Sequence, residues 1–127
     1  DTNVLVRAIV GDNPKQAKAA QDELKGAEIV AVATPTLCEL VWVLAQGYKI
    51  STAEVADAVR VLINSTNVVV DRLAAEAGLA MLEAGGDFAD GAIAYEGQRL
   101  GADVFVSFDK QAVKLLEAQG AGARLLV

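Results

Sequence analysis

Seventeen acidic side chains and no histidine set the chemistry open to this 127-residue chain. Without imidazole there is no His-based triad, no imidazole base and no ordinary zinc site. Acid–base or metal chemistry must therefore run on oxygen ligands. Phosphate-cradling GxGxxG and P-loop patterns are absent. The one cysteine, Cys38, has no histidine to activate it and reads as a small core residue.

Several acids stand where local pattern gives them a possible role. Asp109 follows VFVSF and precedes KQAVKLL, at the carboxyl end of a strand, where open parallel sheets collect function. It is equally placed to cap the following helix. Asp71, in NVVVDRLAAEA, repeats the strand–Asp–helix pattern, so pattern alone does not separate the two. Glu39 sits in LCELVWVLA, whose other positions from Leu37 to Ala45 are apolar or cysteine. A helix apolar all round is expected to be buried. A carboxylate there needs an ion pair, with Arg7, Arg60 or Arg99 as candidates, or a bound cation. Asp87 follows Gly85-Gly86 and has the position of a helix N-cap. Asp90 is then the third helical residue, either a capping-box acid or a ligand, and the small Ala89, Gly91, Ala92 and Ala94 suggest open space for metal and phosphate. Asp1-Thr2-Asn3 is a polar start, an N-cap or a frayed end. Trp42 and Tyr95 read as packing residues rather than base-stacking ones, and Arg7 and Arg99 as solvated or paired.

Apolar periodicity and breakers divide the chain into alternating elements. Residues 2–10 fit a short helix or strand. Helices are expected over about 15–25, from Thr34 to Gly47, from Ser51 to about Asn64, over about 72–84, from Phe88 to Leu100 and over 110–119. The Ser51-Thr52-Ala53-Glu54 start has the form of a capping box. Strands are expected at 28–33, 68–70, 103–108 and 124–127. VVV and VFV lack polar alternation, which predicts parallel strands covered on both faces. The pattern is that of an α/β sandwich forming a single domain over 1–127. In a doubly wound fold a further strand is expected ahead of Asp1.

The apolar fraction is 54% and the aromatic fraction 5%, which suits helices packed closely on a sheet. No apolar run reaches the roughly 18 residues of a membrane helix. A single cysteine excludes an internal disulfide and fits a reducing cytoplasm. The formal charge of −6, from 17 acidic and 11 basic residues, argues against nucleic-acid binding when taken alone. Four carboxylates neutralised by metal would leave 13 acids against 11 bases, close to balance.

DTNVLVR, Glu39, DFADGAIA and VFVSFD, in that order, resemble the PIN-domain family, and within it the VapC-type toxins of toxin–antitoxin pairs. The likeness spans essentially the whole chain except a first strand. It implies a three-layer α/β/α sandwich with a central, mainly parallel sheet, and a Mg²⁺- or Mn²⁺-dependent ribonuclease. It also implies that Asp1, Glu39, Asp90 and Asp109 are the metal-binding, catalytic acids, supported by Asn3 and Ser107, with Asp87 a possible addition. An RNA substrate, a cognate VapB-type antitoxin and a homodimer follow as expected partners. The chain departs from the family pattern at Gly91, where alanine or a larger residue is usual, and at Ser107, where threonine is common; both departures read as mild. Two other readings compete: a PIN-like scaffold that binds RNA or protein without cleaving, and a phosphoacceptor receiver domain. The receiver needs an acidic pair after its first strand and a lysine ending a late one, whereas Asp1-Thr2 is no pair and Lys110 lies past Asp109.

Overall fold

A computed structural model describes residues 1–127, and the breakers seen in the sequence fall at or beside the ends of its helices. Two units emerge, Asp1–Asp71 and Arg72–Val127.

In the first unit, residues 2–10 resolve as helix α1 (Thr2–Val10). Thr2, Leu5 and Val6 recur at helical spacing on its buried side, and Gly11 ends it at φ 71°. Helix α2 (Pro14–Gly26) starts on a proline, with the Asn13 side chain accepting from the Gln16 amide at 3.1 Å. Strand β1 (Val30–Ala31) leads into helix α3 (Thr34–Trp42), which continues as a π-helical turn over Val43–Gly47. Helix α4 (Thr52–Ile63) is capped by Ser51, whose hydroxyl accepts from the Glu54 amide at 3.3 Å, as the capping-box pattern predicts. Strand β2 (Val68–Val69) pairs parallel to β1 in the register Val30↔Val68 and Ala31↔Val69. Asn67 donates to the carbonyls of Leu24 and Ala27, tying the end of α2 to the start of β2. Leu37, Leu40 and Leu44 from the third helical stretch and Val55 and Val59 from α4 form the sealed core.

The second unit contains helices α5 (Arg72–Glu83), α6 (Phe88–Arg99) and α7 (Lys110–Ala118) and strands β3 (Phe105–Ser107) and β4 (Ala123–Leu125). The strands pair parallel, from Phe105↔Ala123 to Ser107↔Leu125. Helices α5 and α6 approach closely because glycines face each contact. A Cβ on Gly78 would meet the buried Phe88 ring, and one on Gly91 would overlap the Ala77 carbonyl. Parallel strands alternating with helices make this an α/β chain.

The expectation that VVV and VFV are covered on both faces is overturned. Val69 is 55% exposed, and Val104 and Val106 are 46% and 43% exposed. The sheets have only two strands each, and their residues alternate between half-buried and exposed. The expected strand lengths also shrink to two or three residues, since only the paired segment keeps strand geometry.

Candidate metal centre

In the first unit Glu39 is tied to Thr2, the residue directly after Asp1. Asp1 caps α1, its Oδ1 accepting from the Asn3 amide at 3.2 Å. That cap starts the helix at Thr2, which is the chain's one buried polar side chain. Its Oγ1 donates to Glu39 Oε2 at 3.2 Å, linking α1 to α3. A hydrogen bond to a charged acceptor holds the Glu39 carboxylate in one orientation. Thr2 was not visible as a positioning residue in the sequence, because its partner lies 37 positions away.

The burial expected for Glu39 is not found. Leu37, Leu40, Val41 and Leu44 bury one side of the helix, while Pro35, Glu39, Trp42 and Gln46 form an exposed stripe. Solvent therefore hydrates the carboxylate, and the desolvation argument for an ion pair or a cation does not apply. Arg7, offered as a partner, bonds instead with Asp12 at 3.2 Å and Tyr48 at 3.3 Å. Asn3 is exposed and lines a groove of about 560 Å³ with Val4, Arg7, Gln16, Ala19, Ala20 and Glu23. Asp1 borders a separate cavity of about 220 Å³ beside Val30, Ala31, Val32 and Thr36.

In the second unit Asp87, Asp90 and Asp109 share one electrostatic environment. Burial first, and then the charges of Asp87 and Asp109, hold the Asp90 carboxyl above the usual carboxylate range. Asp87 caps α6, its Oδ1 accepting from the Ala89 amide at 3.0 Å. Asp109 caps α7, with Oδ1 accepting from the Gln111 and Ala112 amides at 2.9 and 3.2 Å. Ser107 Oγ accepts from the Asp109 amide at 3.0 Å, shaping the turn between β3 and α7. Asp71, the comparison residue, is half-buried at the end of the first unit.

Capping does not exhaust these acids. In Asp1, Asp87 and Asp109 the cap bonds all fall on Oδ1, leaving Oδ2 outside the cap. Neither unit by itself gathers three acids closely enough to form a ready cage. The donor set fits a hard divalent ion, being all carboxylate, and Asp90 carries the like-charge stress that a cation would relieve.

One supporting expectation is corrected. Gly91 and Ala92 do not open space beside Asp90; both are buried, with Gly91 against α5. The small residues are there for helix packing.

Compared with known families, the chain matches the PIN domain over residues 1–117. No curated protein matches it, and no solved structure does.

Proposed function

The chain belongs to the PIN-domain family, whose members are α/β nucleases, and from that premise we propose that it is a Mg²⁺- or Mn²⁺-dependent endoribonuclease acting as a VapC-type toxin. The observation that carries this reading is the match to the PIN domain over residues 1–117, supported by Asp1, Asp87 and Asp109 at the starts of helices and by Asp90 under burial and the charges of Asp87 and Asp109. Asp1, Glu39, Asp90 and Asp109 are the proposed ligands, with Asp87 as an additional acid.

When bound, the ion supplies the Lewis acidity for in-line hydrolysis of a phosphodiester. The chain's own residues prepare for it. Thr2 orients Glu39, and the cap of α1 fixes Asp1 directly before Thr2. Ser107 sets the turn from which Asp109 projects. Each acid is thereby held on a helix end or a helix face, the rigid setting that metal ligands need. A VapB-type antitoxin would answer this negative field with a basic residue placed among the acids. No helix is long and apolar enough to cross a membrane, and we place the chain's action in the cytoplasm. Exposed apolar side chains such as Leu100, at 88%, and Val61, at 72%, support a homodimer or an antitoxin-covered surface.

Incubation with a panel of RNAs, with and without Mn²⁺, tests the reading. Wild-type protein is expected to cleave only with metal, and Asp90→Asn to cut the rate by about a hundredfold or more. Binding without cleavage by the metal-loaded wild type supports the scaffold instead, and phosphate uptake from acetyl phosphate supports the receiver.

A further inference from the structure

Only two aromatic side chains are exposed, and each abuts a proposed ligand. Phe108, 76% exposed, immediately precedes Asp109. Trp42, 65% exposed, lies three residues after Glu39 on the same helix. Tryptophan is a costly residue to leave in water, since its indole is among the largest apolar surfaces a side chain offers. The packing role that the sequence suggests for Trp42 is not what the fold uses.

We propose that Trp42 is a stacking platform for a base of single-stranded nucleic acid, holding the strand across the acids of the first unit. This inference rests on the nuclease reading above. Helical side chains lean toward the N-terminus and cover the turn before their own Cα. That lean directs the indole toward the turn of Cys38 and Glu39, whose carboxylate Thr2 orients. The stripe it shares, Pro35, Glu39 and Gln46, is otherwise polar or small. A protein-binding anchor is normally ringed by apolar neighbours that exclude water. A lone ring beside an acid instead suits a base, whose flat face needs one aromatic partner while its phosphate reaches the metal-binding group. The π-helical turn begins at Val43, directly after Trp42. Such turns recur at functional positions, and the residue that follows this one, Tyr48, bonds with Arg7 and Asp12.

The chain has a single tryptophan, so its emission reports this one position. Titration of the full chain with a short single-stranded RNA in EDTA, which prevents turnover, is expected to quench it saturably. In Mg²⁺ or Mn²⁺, Trp42→Ala is expected to raise KM for RNA cleavage by about 5- to 100-fold with kcat little changed, the range expected for one stacked base. Trp42→Phe is expected to retain most of the wild-type KM. RNA that binds, by anisotropy, without altering the emission overturns the proposal, as does a wild-type KM in Trp42→Ala. Emission that shifts with protein concentration but not with RNA also overturns it and assigns the ring to a protein contact. If the wild type cleaves no RNA, the nuclease reading fails, and the quenching titration still decides whether Trp42 meets a base.

Discussion

Asp90 is an acid whose pKa the fold raises. Burial and the neighbouring Asp87 and Asp109 raise its pKa in the folded chain above the unfolded value. Between those two values the folded state holds the proton more firmly than the unfolded one. The contribution to stability is therefore complete below the unfolded pKa and is lost as pH rises through the folded pKa. In chelator, urea midpoints of wild type should fall relative to those of Asp90→Asn as pH rises through that window. The variant, lacking the repelled charge, should be the more stable of the two near neutral pH. Equal pH dependence in both proteins would show that Asp90 is not under this stress. The same scale explains why local pattern left the acids ambiguous. The cap bonds of Asp1 and Asp109 fall on Oδ1, so a residue that caps a helix and one proposed as a ligand look alike in sequence.

Among the elements, α3 and α6 carry most of what the sequence left open. From Leu37 to Ala45 every position except Glu39 is apolar or cysteine, yet only one side is buried. Composition could not say which side, because the choice belongs to the helices packed against it. In α6 the small residues serve the contact with α5. Gly91→Ala forces a methyl group onto the Ala77 carbonyl, backbone that cannot rotate away. A loss of about 1–3 kcal/mol is expected from overpacking, read from the urea midpoint. Unchanged stability would mean that α5 and α6 separate easily. Helix starts were the most legible elements. Asn13-Pro14, Ser51 with Glu54, and Asp109 are local signals, and each cap hydrogen bond is present.

For the whole molecule, a charge of −6 makes the proposed metal a contributor to stability as well as to the proposed chemistry. A ligand that binds only the folded state stabilises it by mass action, about 2.7 kcal/mol at roughly 100 times Kd. Mg²⁺ or Mn²⁺ is expected to raise the melting temperature saturably, EDTA to reverse the gain, and Asp90→Asn to lose most of it. Equal gains in the two proteins would count against the proposed ligands. What the sequence determined by itself was the alternation of helices and strands, the helix caps and the likeness to the PIN family, which the match over residues 1–117 shows. These depend on neighbours a few residues apart. Tertiary structure decided that Thr2 holds Glu39, that Asp87 and Asp109 press on Asp90, and that Trp42 faces water. Each depends on side chains distant in sequence or on which face a neighbouring element covers, and no local pattern encodes either.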